Sequence, residues 1–270
     1  MEQINREVVD RLLKDKTKFL GSGTYGEVTL VEWLGEPAAL KVSRSSSFSE
    51  YFTKEAKVLS LLKGAGGAPL LLGVTINPPA LLTTYKGSQT LENVLLNSEY
   101  NLLDVGLQVG RKLLEIHQAG IVHNDIKCDN VMVQGPPHDP VISLIDFGVA
   151  SRNKVKIFLA GHPDVHTTYA PEVLQQKAST FASDVFSYGK LMLEILQALP
   201  SQHPSLEQIL QVATQPNPRR RPSLQILLRR LQENISKISL ASNQSSKKPY
   251  PSLTPETVSL QHGRTLCQRP

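Results

Sequence analysis

The first third of the chain has the composition of short β-strands. Between Thr17 and Val42, β-branched and aromatic residues surround a cluster of glycines, and the apolar run PAALKVS follows. Two more apolar runs, APLLLGVTI and PALLTTY, are separated by prolines. These features predict a small sheet whose first turn is flexible.

The apolar positions take a different period between residues 47 and 63. Phe48, Phe52, Leu59 and Leu62 recur at spacings of four, seven and three. At about 100° per residue these positions share one face of a helix. The sequence therefore predicts a helix directly after the third strand.

Beyond Tyr85 the chain becomes rich in helical patterns. The segment NLLDVGLQVGRKLLEIHQAG ends at Gly120, where a glycine can close a helix. From Ser236 onward the chain is rich in Ser, Pro, Gln and Lys without a sustained period, which predicts a disordered tail. The predicted organisation is a strand-rich part over residues 1–84, a helical part over 85–235 and a tail over 236–270.

Composition restricts the class of protein only broadly. Of the 270 residues, 40% are hydrophobic and 20% charged, as in folded globular proteins, and the net charge of +5 does not require a nucleic acid partner. The two cysteines, Cys128 and Cys267, are far apart and suggest a reducing compartment. Without a signal-like apolar segment or a long apolar run, the expected location is the cytoplasm or the nucleus.

The glycine cluster is the first candidate for chemistry. Residues 21–28 read GSGTYGEV, so that three glycines lie within a predicted hairpin. Missing side chains let backbone amides approach phosphate oxygens, although glycine-rich hairpin turns are common. The dinucleotide-binding alternative requires a helix after the glycines, whereas here another strand follows.

A charged residue, Lys41, stands in the otherwise apolar strand AALKV. A buried ammonium group needs a partner because its desolvation is unfavourable. At about 100° per residue, Glu55 falls at about 340° from Phe48, within the apolar stripe of the predicted helix. The pattern predicts a Lys41–Glu55 ion pair that presents the ammonium group to phosphate oxygens.

The densest polar cluster is HNDIKCDN, at residues 123–130, and the triplet DFG follows at 146–148. Asn130 and Asp146 supply the oxygen ligands that Mg²⁺ prefers, and Mg²⁺ accompanies ATP phosphates. Asp125 can accept a proton from an attacking hydroxyl group, and Lys127 can neutralise charge on the transferred group.

These motifs together resemble the eukaryotic-type protein kinase family, over residues from about Phe19 to Arg230. The resemblance rests on their order, because the chain also contains APE at 170–172, SDVFSYG at 183–189 and PRRRP at 218–222. It implies an α+β, two-lobed protein kinase fold, with a small strand-rich N-lobe carrying one main helix and a larger helical C-lobe. It further implies transfer of the γ-phosphate of ATP, with Mg²⁺ or Mn²⁺, to Ser or Thr hydroxyl groups of a protein substrate.

The resemblance also assigns site residues. The catalytic residues are Asp125, Lys127, Lys41 and Glu55, and the metal ligands are Asn130 and Asp146. The residues expected to bind the nucleotide are Gly21, Ser22, Gly23, Thr24, Tyr25, Gly26, Val28, Ala39, Lys41, Thr83, Thr84, Tyr85 and Lys86. Structural roles follow for Asp184, which would brace the catalytic loop, and for Glu172, which would pair with Arg221.

Three departures from the family pattern affect regulation and substrate binding. Asn124 replaces the arginine that usually receives a phosphate of the activation loop, so activity is expected without phosphorylation of that loop. The stretch from Asp184 to Arg221 is short, which predicts a reduced C-lobe. The spacing before APE is unusual, and either Thr167 or Thr168 is expected to line the substrate groove.

Two other classes remain open from the sequence. A pseudokinase would bind nucleotide without transferring phosphate, yet Lys41, Asp125, Asn130 and Asp146 are all present. A small-molecule phosphotransferase of related fold would share the polar loop but not the combination of glycine loop, DFG and APE. No nucleic acid or membrane partner is expected, and the expected state is a monomer.

Overall fold

The chain folds into a strand-rich N-lobe and a helical C-lobe in a computed structural model that describes residues 2–15, 18–23, 25–157 and 168–245. The strands are β1 (Glu2–Gln3), β2 (Lys18–Gly23), β3 (Gly26–Trp33), β4 (Glu36–Ser43), β5 (Leu71–Ile76), β6 (Pro79–Thr84), β7 (Ile121–Val122), β8 (Val131–Gln134), β9 (Val141–Leu144), β10 (Ser151–Arg152), β11 (Val155–Lys156) and β12 (Ala178–Ser179). The α-helices are α1 (Arg6–Lys14), α2 (Ser49–Leu62), α3 (Leu91–Val94), α4 (Leu102–Gln118), α5 (Pro171–Leu174), α6 (Phe181–Ala198), α7 (Pro204–Ala213) and α8 (Leu224–Ser245). This architecture confirms the predicted two-lobed α+β fold.

The N-lobe is built on one sheet with the strand order β1-β5-β6-β4-β3-β2. Its five strands β2 to β6 pair antiparallel, and β1 joins the β5 edge in parallel. Because side chains alternate between the faces of a strand, Ala39 and Lys41 of β4 face the interlobe cleft, whereas Ala38 and Leu40 face the other way.

The outer face of the sheet is covered by α1, which the sequence analysis did not predict. Val9 and Leu12 of this helix form one apolar cluster with Leu40 and Leu82 of the sheet. The helix begins at the N-cap Asn5, whose side chain accepts a hydrogen bond from the Val8 N–H at 2.9 Å. An amphipathic helix with a large polar face thus supplies one side of the lobe's core.

The predicted helix over residues 47–63 is confirmed as α2. Phe52, Glu55, Leu59 and Leu62 are buried on one face of this helix, which packs against β5 and β6. The helix ends at Lys63, which adopts a left-handed backbone conformation with φ 47°. Glu55 is therefore held at the inner side of the lobe, as its position in the apolar stripe predicts.

The C-lobe is organised around α4 and α6. Tyr188 of α6 is fully buried and donates a hydrogen bond of 2.9 Å to the Gly106 carbonyl of α4. A Cβ at Gly110 would lie 2.6 Å from the Tyr188 hydroxyl, so glycine permits this close approach. Between Ala198 and Arg221, all of which is described, α7 is the one α-helix.

The first residues of the predicted tail are helical. Residues 236–245 belong to α8, so the prediction of disorder from Ser236 is wrong for these ten positions. The preceding part of the helix buries Leu227, Leu231 and Ile235. Once a helix is nucleated, each further residue adds a hydrogen bond at little cost, and polar residues can continue it. The rest of the predicted tail, 246–270, lies outside the described residues.

Candidate active site

A cleft of about 670 Å³ lies between the N-lobe sheet and the C-lobe. Every residue predicted to be catalytic, to bind the nucleotide or to hold the metal, and that the structure describes, lines this cleft. These residues come from the β2–β3 hairpin, β4, α2, β6 and the segment after it, and the loops that follow β7 and β9. Thr24 lies outside the described residues.

The three glycines of the β2–β3 hairpin meet different surroundings. A Cβ at Gly21 or Gly23 would have no heavy atom within 4 Å, so at these two positions a ligand can approach the backbone. A Cβ at Gly26 would instead collide with the backbone carbonyl of Val42 on β4. Phosphate oxygens can therefore approach the backbone at Gly21 and Gly23, whereas glycine is required at position 26 because β3 packs closely on β4.

Lys41 connects the two lobes through its ammonium group. Its Nζ lies 2.9 Å from Glu55 Oε2 and 3.1 Å from Asp146 Oδ1. Burial alone would lower the pKa of Lys41, but the two carboxylates outweigh burial and raise it, so the side chain is cationic. The predicted Lys41–Glu55 pair is confirmed.

The two carboxylates differ in their environments. Burial raises the pKa of Glu55, against the effect of Lys41. Burial acts in the same direction on Asp146, but Lys41 prevails and lowers its pKa. Asp146 adopts a left-handed backbone with φ 62°, which is uncommon for a residue with a side chain, and 43% of its side chain is exposed. Asp146 is thus an anion that faces the cleft.

Asp125 and Asn130 form a second polar group on the C-lobe side. The Asn130 amide nitrogen donates to the Asp125 backbone carbonyl at 2.8 Å and to Asp125 Oδ2 at 2.7 Å. Lys127 Nζ lies 3.3 Å from the same carboxylate oxygen. The amide oxygen of Asn130 remains as a hard oxygen ligand, which with the anionic Asp146 fits the preference of Mg²⁺.

The buried carboxylate of Asp184 on α6 holds the polar loop in place. It accepts hydrogen bonds from the backbone N–H groups of His123 and Asn124, both at 2.8 Å. His117 Nε2 lies 2.9 Å from the same carboxylate. Hydrogen bonds of this charge-assisted kind are stronger than neutral ones. The predicted bracing of the loop by Asp184 is confirmed.

His123 links the polar loop to the strand before Asp146. Its Nδ1 accepts from the Asp125 N–H at 3.3 Å, and its Nε2 donates to the Ile145 carbonyl at 3.1 Å. A neutral imidazole can make both bonds at once. The ring also lies 4.7 Å from the buried ring of Phe147. The positions of Asp125 and Asp146 are therefore fixed relative to each other.

Asn124 occupies the position of the missing arginine and is itself buried. Its amide nitrogen donates to the Val149 carbonyl and to Ser151 Oγ, both at 3.0 Å, and its amide oxygen accepts from Ser179 Oγ. Asn124 has φ 69°, a conformation that asparagine tolerates better than most residues. An uncharged network thus joins the polar loop to the segment after DFG.

Tyr169 is a cleft residue that the sequence analysis did not select. Its ring is partly buried and lines the cleft. Burial raises the pKa of its hydroxyl group, and the Asp125 carboxylate raises it further. The Thr168 carbonyl accepts a hydrogen bond of 2.8 Å from Ser187 Oγ. Thr168 does not line the cleft. Thr167 lies outside the described residues. The unusual spacing before APE was a signal that this segment departs from the family pattern.

Several apolar residues of the cleft were also missed, among them two on each side. Leu20 and Leu81 lie on the sheet side, and Met132 and Ile145 lie on the C-lobe side. They form the kind of apolar walls that hold a planar ring. In the sequence they look like ordinary strand residues, so only the packing of the two lobes reveals them.

The fold and the cleft define a two-lobed kinase domain, and comparison with known proteins agrees. Residues 15–225 match the family model of protein tyrosine and serine/threonine kinases. The chain therefore belongs to the protein kinase family. In the part of the chain that the structure describes, no helix combines the length and apolarity needed to cross a membrane.

Curated relatives carry the names of serine/threonine kinases. A probable serine/threonine-protein kinase of Dictyostelium discoideum is 32% identical over 195 residues, which cover 66% of this chain and 11% of that protein. The probable kinase gdt4 of the same organism is 25% identical over 268 residues, covering 85% and 16%. The kinase CTR1 of Arabidopsis thaliana is 28% identical over 203 residues, covering 69% and 24%. The chain thus spans less than a quarter of each of these proteins.

Proposed function

We propose that this chain is an ATP- and Mg²⁺-dependent protein kinase that transfers the γ-phosphate of ATP to Ser or Thr hydroxyl groups of protein substrates. The observation that carries the proposal is the bond of Lys41 to both Glu55 and Asp146, at 2.9 and 3.1 Å. This bond connects the two lobes across the cleft in which Asp125 and Asn130 lie. The same arrangement places a cation, a metal-binding anion and a proton acceptor in one cleft.

Each polar residue has a distinct task in this mechanism. The open backbone at Gly21 and Gly23 admits the phosphates, and Lys41 neutralises their charge. Asn130 and Asp146 would hold Mg²⁺, which supplies charge neutralisation for the transferred group. Asp125 orients the acceptor hydroxyl group and accepts its proton. Catalysis then depends mainly on positioning and electrostatic stabilisation.

Two observations support a preference for Ser and Thr. Lys127 lies two residues after Asp125, as in the serine/threonine subgroup, and its Nζ is 3.3 Å from the Asp125 carboxylate. Three curated relatives are named as serine/threonine-protein kinases or probable ones. The substrate class proposed is therefore proteins that carry accessible Ser or Thr side chains.

Transfer of radiolabelled phosphate from ATP to generic protein substrates tests the proposal. The unchanged chain should label a Ser- or Thr-containing substrate, and Asp125→Asn should lower the rate by at least about 100-fold. Asp139→Asn is the matched control, since this exposed aspartate lies outside the cleft and should retain activity. Binding of ATP without any transfer would favour the pseudokinase alternative.

A further inference from the structure

Four cationic side chains surround a pair of short strands on the C-lobe. Arg152 belongs to β10 and Lys156 to β11, Lys154 lies in the turn between these strands, and Lys177 directly precedes β12. All four side chains are exposed. They define a surface that we call the basic ribbon.

The pairing of β11 with β12 brings these cations together. Lys156 is the register partner of Ala178, and the Lys154 N–H donates a hydrogen bond of 2.8 Å to the Ser179 carbonyl. Paired strands lie about 5 Å apart, and residues two positions apart in a strand are about 7 Å apart. The Cα atoms of Lys154, Lys156 and Lys177 therefore lie within about 15 Å of one another.

The positive charge of the basic ribbon is not balanced locally. The two segments that carry it, residues 151–157 and 174–182, contain no Asp or Glu. The carboxylates that flank the second segment have other partners, since Glu172 binds Arg221 and Asp184 binds the backbone of the polar loop. Among the described residues, none of the four cations makes an ion pair. The surface thus attracts an anionic partner.

The uncharged residues of the basic ribbon indicate which kind of anionic partner fits. Val155 of β11 and Leu174, at the end of α5, are both exposed apolar residues. The segments 151–157 and 174–182 carry no exposed aromatic ring on which a nucleic acid base could stack. Binding in a membrane interface usually needs an amphipathic helix, whereas these cations lie on strands and turns. An acidic protein segment that also contains apolar residues matches both the charge and the exposed apolar positions.

The basic ribbon is connected to the cleft through α5. Tyr169 lines the cleft, and Lys177 follows eight residues later, after the short helix Pro171–Leu174. With a rise of about 1.5 Å per helical residue and at most about 3.6 Å per extended residue, their Cα atoms lie at most about 25 Å apart. An extended peptide covers that distance with about eight residues. A protein whose acceptor hydroxyl lies in the cleft can therefore also contact the basic ribbon.

We propose that the basic ribbon is a docking surface for an acidic segment of the protein substrate, about eight residues from the acceptor Ser or Thr. The proposal rests on the kinase activity proposed above and adds the chemistry by which this kinase selects its substrates. Carboxylates of the segment pair with Arg152 and the three lysines, and its apolar side chains contact Val155 and Leu174. Exposed ion pairs are individually weak, so the segment needs several carboxylates.

Binding of fluorescent peptides tests the surface without catalysis. The Glu peptide contains one Ser, eight uncharged residues and a block of four Glu with one Leu, and it is made with the block on either side of the Ser. In the Gln peptide, Gln replaces each Glu. For at least one order of the Glu peptide, the double variant Lys154→Glu with Lys156→Glu should raise Kd by about tenfold or more.

A second double variant is the matched control. Arg229→Glu with Arg230→Glu makes the same change of net charge at exposed positions of α8, away from the basic ribbon. This control should keep the Kd of the Glu peptide within about twofold. An equal loss of affinity in the two double variants would show attraction by net charge alone and would overturn the proposal.

Two further binding measurements use proteins that keep the charge of the basic ribbon. In the unchanged chain, a rise from about 0.05 to about 0.5 M NaCl should weaken binding of the Glu peptide by about tenfold or more, because salt screens exposed charges. Lys154→Arg with Lys156→Arg should keep the affinity. Binding that does not depend on salt would overturn the proposal, as would a single-stranded oligonucleotide of equal charge that binds more tightly than the Glu peptide.

A kinetic comparison distinguishes failure of the docking surface from failure of the proposed function. The unchanged chain should phosphorylate the Glu peptide with a kcat/KM about tenfold or more above that of the Gln peptide, chiefly through a lower KM. Lys154→Glu with Lys156→Glu should lose this preference and keep its kcat/KM for the Gln peptide within about twofold. Equal kcat/KM for both peptides in the unchanged chain would reject the docking surface and leave the kinase activity standing. Binding of the Glu peptide without transfer to either peptide would reject the kinase activity, while the binding surface would stand.

Discussion

Tyr25, in the turn of the glycine-rich hairpin, stacks on Tyr51 of α2 with ring centroids 4.6 Å apart. Phe48 meets both rings edge-on, at 5.5 Å from Tyr25 and 5.9 Å from Tyr51. Aromatic pairs in such geometries contribute about 0.5–1.5 kcal/mol beyond the burial of their area. The stack thereby connects the hairpin to the helix that carries Glu55.

This stack predicts an effect on nucleotide affinity. Tyr25→Ala should raise KM for ATP by a few-fold to about tenfold, as expected from a loss of about 0.5–1.5 kcal/mol. Tyr25→Phe keeps the ring and should stay close to the unchanged chain. Steady-state kinetics at varied ATP concentration measure both variants, and equal KM values for Ala and Phe would rule out a role for the stack.

Asp146→Asn should abolish phosphate transfer. The substitution keeps the shape of the side chain but removes the charge proposed to hold Mg²⁺, a loss of about 3 kcal/mol or more in transition-state stabilisation. The rate should be measured at saturating Mg²⁺, with circular dichroism to verify folding. Near-normal turnover would contradict the proposed mechanism.

Glu172→Gln should destabilise the C-lobe in a pH-dependent way. Glu172 makes a bidentate ion pair with the buried Arg221, at 2.7 and 2.8 Å, as the resemblance to the kinase family implies. We expect a loss of about 3 kcal/mol at pH 7, the lower end for a broken buried pair, because backbone carbonyls still bind Arg221. Chemical denaturation measures the loss.

The sign of the pH dependence follows from the carboxylate. Burial would raise the pKa of Glu172, but hydrogen bonds from Arg221, from its own backbone and from Ser183 lower it overall. Because its pKa is lower in the folded state, the ionised Glu172 stabilises the folded protein at pH values above its ordinary pKa of about 4.3. This contribution is lost as the pH falls through the folded-state pKa. The difference between the two proteins should therefore shrink in acid. A constant difference from pH 7 down to pH 3 would contradict this account.

The uncharged network of Asn124 predicts activity without phosphorylation of Ser151, Thr167, Thr168 or Tyr169. Treatment of the purified protein with a phosphatase should leave kcat/KM within about twofold. A tenfold fall, about 1.4 kcal/mol, would contradict the prediction.

Asn124→Ala should lower the stability of the fold by about 1–3 kcal/mol, because Val149, Ser151 and Ser179 lose their hydrogen-bond partner.

Thr83 predicts which inhibitors enter the cleft. It lies on β6 opposite Ala39, is buried, and lines the cleft. Inhibitors that direct an aryl group past this small side chain should bind, and Thr83→Met should weaken them by steric overlap while largely preserving ATP binding. Competition assays on both proteins give the comparison. Equal inhibition would show that the aryl group takes another path.

The parts of the site that local periodicity determines were predictable from the sequence. The Lys41–Glu55 pair follows from a strand period of two and a helix period of 3.6, because both side chains must then face inward. The position of Tyr169 depends instead on how Thr168 is bound by Ser187, a contact across nineteen positions that no local pattern encodes. The helix α1 was missed because charged residues dominate its composition, although its apolar positions form one stripe.

Because α1 packs on the N-lobe sheet, the unit that folds includes residues outside the region that matches the family model. The family match begins at residue 15, immediately after this helix. Val9 and Leu12 cover Leu40 and Leu82 in one cluster, and exposure of such side chains costs about 1.5–3 kcal/mol each. A fragment cut at the family boundary would retain the described residues of the cleft yet present a bare apolar sheet face to solvent. Such a fragment would be prone to self-association, and its failure to behave as a monomer would say nothing about the kinase chemistry.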